Sequence, residues 1–274
     1  MNLNDKLFLI TGASSGIGAA TARAAARQGA RVVLLARSAP KLASVADEIK
    51  REGGAAYPFP IDLTDAAAVQ ATAQQIIQQV GVPDILLNNA GAGQWLSTVE
   101  TSPQDAVEMM AAPYFAAFFT TRAFLPAMLE RNRGVIANMT SVASRLTWPG
   151  ATAYTAGRWA MRGFTEGLRA DLSRSRLRVM LVTFAKVQSD YWANNPGSEA
   201  RLPKAQAMIP VLTPEAAADA ILFGRRFNQR EVMAPLMLRV VIWLNALFPD
   251  VTRLLMNSTG WNGRTILPTT RRSG

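Results

Sequence analysis

The chain contains no cysteine and no histidine. Without cysteine there is no disulfide, no thiol nucleophile and no thiolate metal site. Without histidine the commonest general base near neutral pH and the commonest transition-metal ligand are both missing. Ser-His-Asp hydrolases, papain-like proteases, zinc deaminases and zinc fingers are excluded, and no metal site is expected. Lysine is scarce as well: of 29 basic residues only five are Lys and 24 are Arg. The arginines are scattered, with short pairs at Arg225-Arg226 and Arg271-Arg272 and no basic stripe interleaved with aromatics, so nucleic acid is not an expected partner. Only 19 acidic residues oppose them, leaving a formal charge of +10. That charge reads as a solvated basic surface, or as an attraction to phosphorylated cofactors, anionic lipids or carrier proteins. The N-terminal apolar stretch is too short for a secretory signal, and a cytoplasmic location is expected.

What is present is a chain of 274 residues, 49% hydrophobic, long enough and apolar enough for a full core. Any chemistry must use Tyr, Lys, Arg, Asp, Glu, Ser or a cofactor. Short continuous apolar runs at Leu7–Ile10, Arg31–Ala36, Tyr57–Ile61, Ile85–Leu87, Gly134–Asn138 and Leu177–Phe184 read as buried strands. Helices are expected at Ile17–Gln28, Pro40–Arg51, Asp65–Val80, Ser102–Arg131, Thr152–Ser173 and Pro214–Phe227. Continuous apolar strands alternating with helices indicate an α/β fold: one doubly wound parallel sheet with helices on both faces. Residues 1–230 form this sheet domain on this reading, and residues 231–274 an apolar C-terminal extension of the same domain.

Between the first strand and first helix stands Thr11-Gly12-Ala13-Ser14-Ser15-Gly16-Ile17-Gly18. Glycines there permit a tight turn and a close backbone approach to a pyrophosphate, with the helix N-terminus supplying amide donors and a positive dipole; Ser14 and Ser15 add hydroxyls. The spacing is G-x-x-x-G-x-G. About 20 residues on, where a carboxylate would grip the ribose of NAD, the chain has Ala36-Arg37. No acid there repels a 2′-phosphate and Arg37 can pair with one, so NADP(H) is the expected cofactor; the alternative is a solvent-facing Arg37.

This loop, with Asn88-Asn89-Ala90-Gly91 after the fourth strand and Tyr154 near a basic residue, resembles the short-chain dehydrogenase/reductase family over roughly residues 5 to 190. The resemblance implies a Rossmann-type fold and a cofactor site of Gly12, Ser14, Ser15, Gly16, Ile17, Gly18, Arg37, Asp62, Asn89, Ala90, Gly91, Val187 and Ser189, with Tyr154 and Arg158. By the same likeness Asp62 faces the adenine amino group and Asn89 the adenosine ribose; the alternative for Asp62 is a strand-end turn residue. The implied catalytic set is Ser141, Tyr154 and Arg158. Tyr serves as a proton donor where nearby positive charge favours its phenolate, and positions i and i+4 share one helix face. Ser141, thirteen residues before Tyr154, stands at the family's interval for a substrate-polarising Ser.

Three positions depart from the family pattern. Arg158 replaces a Lys and cannot deprotonate, so a proton relay through that side chain is lost. Pro113 replaces a helix Asn that anchors the relay water; it also releases the carbonyl four residues earlier, Met109, and that carbonyl or one nearby is expected to take over the water contact. Ala185-Lys186 replaces Pro-Gly. Two functions therefore stand: an NADP(H)-dependent oxidoreductase interconverting a hydrophobic ketone and a secondary alcohol, or a catalytically impaired dinucleotide-binding or regulatory module.

Residues 188–213 are expected to form a substrate lid over an apolar pocket that Tyr191, Trp192, Met208 and Ile209 line together with Trp95 and Trp148. The alternative for these aromatics is core or oligomer contact. Arg201 and Lys204 read as solvated charges, with an anionic substrate group as the alternative. A homodimer or homotetramer is expected. From Leu236 to Phe248 only Arg239 and Asn245 are polar. As a helix this run is about 20 Å long and does not span a bilayer. Residues 235–256 are thus buried in the protein or an oligomer, or meet a membrane surface peripherally.

Overall fold

The structure, a computed structural model, describes residues 3–261. Seven parallel strands, β1 (Leu7–Thr11), β2 (Arg31–Ala36), β3 (Ala55–Pro60), β4 (Ile85–Asn88), β5 (Gly134–Ser141), β6 (Leu177–Phe184) and β7 (Glu231–Ala234), form one sheet in the order β3-β2-β1-β4-β5-β6-β7. The helices are α1 (Gly16–Arg27), α2 (Ala39–Arg51), α3 (Ala66–Gln79), α4 (Pro103–Met110), α5 (Ala116–Arg131), α6 (Thr152–Asp171), α7 (Tyr191–Asn194), α8 (Pro214–Arg226), α9 (Leu236–Leu247) and α10 (Pro249–Thr259).

The strands are apolar throughout because both faces are covered. Side chains alternate across a strand, so Phe8, Ile10, Val32 and Leu34 pack under α1, α2 and α8. Their neighbours Leu7, Leu9, Val33 and Leu35 pack under α3, α5 and α6. Burying each such side chain stabilises the fold by about 1.5–3 kcal/mol. Local chemistry sets the helix starts: Asp65 accepts from the amides of Ala67 and Ala68 ahead of α3, and Ser102 with Asp105 forms a capping box at α4. Ser15, ahead of α1, makes no such side-chain bond, so the first amides of α1 have no side-chain cap.

The first helix after β4 is not the single Ser102–Arg131 rod that its composition predicts. Pro113 has no amide hydrogen to continue the i→i−4 ladder. A π turn over Ala111–Phe115 accommodates it, in which the Ala116 amide reaches back to the Ala111 carbonyl. The helix runs on as two segments, α4 and α5. β7 was also absent from the sequence reading; it pairs with β6 from Leu181↔Glu231 to Phe184↔Ala234 and carries the chain to α9. Leu238 and Ile242 of α9 are buried against a cluster that includes Trp95, Trp148 and Tyr154. No helix among the described residues is long and apolar enough to cross a membrane.

Candidate active site

The strand order reverses between β1 and β4, where α/β sheets open a crevice at the carboxyl ends of the strands. Gly12 opens the loop there with φ +65°, and a Cβ on it would lie 2.9 Å from the Ala90 Cα. A Cβ on Gly18 would stand 2.2 Å from the Gly12 carbonyl, so α1 can abut the loop only with glycine at both places. Thr11 binds the loop to β4: its Oγ1 donates to the Leu87 carbonyl and accepts from the amides of Asn89 and Ala90. Asn89 Nδ2 answers by donating to the carbonyls of Thr11 and Gly12 at 2.9 and 3.3 Å.

A cavity of ≈ 1170 Å³ runs from this loop to the C-terminal helices. Gly12, Ser14, Ser15, Gly16, Ile17, Arg37, Asp62, Asn89, Ala90, Gly91, Ser141, Tyr154, Arg158, Val187 and Ser189 all line it. Gly18 does not; of the predicted site residues it alone acts through packing, because its missing side chain lets the helix close on Gly12. Ser189 stands against the loop, 3.3 Å from where a Gly16 Cβ would be. Asp62 takes up the turn reading as well as lining the cavity. One carboxylate oxygen accepts from the Thr64 amide at 2.9 Å and the Thr64 hydroxyl at 2.8 Å. These two hydrogen bonds, with Arg37 a weaker contributor, hold its carboxyl below the ordinary carboxylate range.

At the other end of the crevice, Ser141 is the last residue of β5, and Tyr154 and Arg158 lie one turn apart at the start of α6. Both α6 side chains are buried, and the Arg158 guanidinium carbon sits 4.7 Å from the centre of the Tyr154 ring. That is cation–π range, and it holds a fixed positive charge beside the phenol. A Cβ on Gly91 would approach the Arg158 Nη1 and Nη2 to 3.1 and 3.2 Å, so glycine makes room for the guanidinium. The buried Arg158 Nε has no hydrogen-bond partner in the protein.

The Met109 carbonyl has a definite neighbour. It lies against α6, where a Cβ on Gly157 would stand 2.6 Å from it and 3.2 Å from Pro113 Cγ. The π turn that Pro113 imposes brings this backbone up against Gly157.

Around Tyr154 the apolar end is built of aromatics. Trp95 lies 5.0 Å from Trp148, 5.2 Å from Tyr154 and 5.6 Å from Trp192, ring centre to ring centre. Tyr191, Met208 and Ile209 line the same space. Residues 188–213 are more ordered than a plain loop, with α7 and two 3₁₀ turns, Glu199–Arg201 and Lys204–Met208. Arg201 is not directed at the cavity: it forms a forked pair with Glu100 at 2.6 and 2.7 Å and stacks on Trp261.

Sequence reasoning missed the polar groups that fasten this segment. Asn195 Oδ1 accepts from the Gly93 amide at 3.3 Å, and Ser198 Oγ from the Trp95 amide at 2.9 Å. Tyr191 accepts from Trp95 Nε1 at 3.0 Å and donates to the Gly93 carbonyl. Burial, reinforced by neighbouring Tyr154, pushes the Tyr191 phenol well above its ordinary range. Tyr191 therefore stays a protonated donor at any working pH, and its hydrogen is already engaged. Of the two phenols in the crevice, only Tyr154 stands with a cation over its ring.

The short chain dehydrogenase family model matches residues 6–199. A fatty acyl-CoA reductase of Acinetobacter baylyi is 32% identical over 263 residues, an overlap of 95% of this chain and 86% of that protein. A metagenomic short-chain oxidoreductase solved in complex with NADP is 32% identical with a TM-score of 0.68, over 81% of this chain and 91% of that one. A short chain dehydrogenase/reductase from Burkholderia phymatum solved with NAD shares the fold at a TM-score of 0.82 and 24% identity, over 92% and 97% of the two chains.

Proposed function

The chain belongs to the short-chain dehydrogenase/reductase family, and from that premise we propose that it is an NADP(H)-dependent oxidoreductase interconverting a hydrophobic ketone and its secondary alcohol. The observation that carries this reading is the buried Tyr154–Arg158 pair opening into the same cavity as the glycine loop. The residues present fit a dinucleotide. Gly12 and Gly16, both at positive φ, hold the loop in a tight turn on the cavity, the amides at the start of α1 are free of a side-chain cap, and Arg37 and Lys41 line the adenosine end, where the neighbouring acid, Asp62, is engaged by Thr64. NADPH, when bound, supplies the hydride.

The protein's own part is to hold the carbonyl and move a proton. Ser141 hydrogen-bonds the carbonyl oxygen, and Tyr154 donates its phenolic proton to it as negative charge develops. Arg158 stabilises the resulting phenolate through its guanidinium and cannot pass the proton on. The tyrosine is therefore reprotonated through solvent in the crevice and not through position 158. Trp95, Trp148 and Trp192 exclude water from the apolar part of the substrate.

The departures at Arg158 and Pro113 favour a second reading, a dinucleotide-binding module without turnover. A hydride-transfer screen over apolar ketones, extended to a long-chain acyl thioester because the Acinetobacter relative is named a fatty acyl-CoA reductase, separates the two. Tyr154→Phe abolishes turnover and leaves NADPH affinity within about threefold if the first reading holds, since only the proton donor is removed. NADPH binding with no turnover on any substrate establishes the second.

A further inference from the structure

The outer face of the α9–α10 pair is apolar, and no described residue covers it. Leu236, Val240, Trp243 and Leu247 recur at helical spacing and are 50–72% exposed. Phe248, Val251 and Leu254 extend the surface across the turn into α10, each more than half exposed. The inner face is already used, by Leu238 and Ile242 against the aromatic cluster, so the outward residues are not waiting for this chain's core. Monomeric soluble proteins rarely show a contiguous apolar surface on this scale unless it meets something.

Two observations point to what it meets. From residue 232 to the end the sequence has one acid, Asp250, and five arginines at 239, 253, 264, 271 and 272. The acid is paired with Arg253. An exposed indole on an apolar stripe, with Arg239 and Arg253 exposed on the same two helices, suits the headgroup boundary of a bilayer with anionic lipid. Second, the face is continuous with the cavity. Leu244 and Leu255 line the cavity and are also 46% and 39% exposed, and Met208 on the neighbouring 3₁₀ turn does the same at 66%. The mouth of the substrate end thus opens through the apolar surface itself, and a second copy seated there would cover it. At 12 and 11 residues the helices are about 18 and 16 Å long, too short to cross the hydrocarbon and suited to lying in its boundary.

We propose that α9 and α10 dock this protein onto an anionic lipid bilayer, with the cavity mouth facing the acyl chains so that an apolar substrate passes from the membrane to Tyr154. Docking stands on the surface alone; the substrate route rests on the catalytic reading above. The test is flotation of the full-length protein with phosphatidylcholine vesicles, with and without phosphatidylserine, at low and high salt. Sedimentation velocity and NADPH binding are measured on the same samples. Tight binding to the anionic vesicles that partly survives high salt is expected, because apolar insertion adds to charge attraction. Trp243→Glu with Leu247→Glu, neither of which lines the cavity, lowers vesicle affinity about tenfold or more while NADPH binding is retained. A Val251→Glu, Leu254→Glu variant gives the same loss if the first pair fails to fold. Absence of vesicle binding, binding fully lost in salt, binding untouched by the substitutions, or an effect on oligomer size alone overturns the proposal. Vesicle binding without turnover on any substrate leaves docking intact and overturns only the catalytic reading.

Discussion

A single arginine carries the proposed cofactor preference. Arg37 follows β2 and lines the cavity beside the glycine loop; on the proposed reading its forked guanidinium matches a 2′-phosphate that a carboxylate would repel. Arg37→Asp is expected to cost about ten- to a hundredfold in NADPH affinity and to raise NADH relative to it, read by fluorescence titration of both cofactors. Equal affinities in the native protein would remove the assignment. At this scale the sequence was informative where geometry depends on local spacing: the glycine turn, the Tyr154–Arg158 helix turn, and the misfit of Pro113. It was silent where partners lie far apart along the chain. Asn195 and Ser198 meet Gly93 and Trp95 across 102 and 103 residues, and neither side chain belongs to any short motif. Asp62 shows the intermediate case. Its chemistry permits a turn or a nucleotide contact, and only the geometry of Thr64 reveals that the turn is made.

Among the elements, the π turn makes the largest difference to the site. It sets the Met109 backbone against Gly157, one residue before Arg158 and three after Tyr154. Gly157→Ala is expected to destabilise the fold by about 1–3 kcal/mol, since the added methyl meets a carbonyl and a proline ring that cannot swing aside. Turnover should fall more than NADPH affinity, because α6 shifts at Tyr154; urea denaturation and steady-state kinetics check both. The sequence revealed that Pro113 would disturb the helix but not how, because the choice between a kink, a break and a π turn depends on what packs alongside.

The segment over the substrate end is held differently, by Glu100 and Arg201. Their forked pair and the Ser97 hydrogen bonds hold the Glu100 carboxyl at about 2, against 4.5 when unfolded. A depressed carboxyl stabilises the fold fully above its unfolded value, and that contribution disappears as pH falls through about 2. Solvent screening limits it to about 1 kcal/mol. Glu100→Gln should lose that amount at neutral pH, and the gap between variant and native protein should narrow as the acid limb is descended; equal stability at all pH values would mean the pair contributes nothing.

For the whole molecule, the alternation of apolar strands and helices was enough to specify a parallel, doubly covered sheet, because each run is too apolar to tolerate water on either side. β7 escaped notice because Glu231-Val232-Met233-Ala234 is short and mixed, and becomes a strand only by adding to the β6 edge. The clasp between Thr11, Asn89 and the glycine loop has a further consequence, in the order of folding. β1 pairs with β4, whose residues lie nearly eighty positions later, and the loop takes its shape only when the Asn89 and Ala90 amides reach Thr11. Such non-local closure comes late and is slow. A chain emerging from the ribosome therefore carries its glycine-rich loop without a nucleotide site until the fourth strand has docked. NADPH added to refolding protein should slow unfolding and raise the final stability while leaving the refolding rate unchanged, as stopped-flow fluorescence would record. An accelerated refolding limb would place the loop in the folding nucleus, and the cofactor would then act as a template during biogenesis and not only as a reagent afterwards.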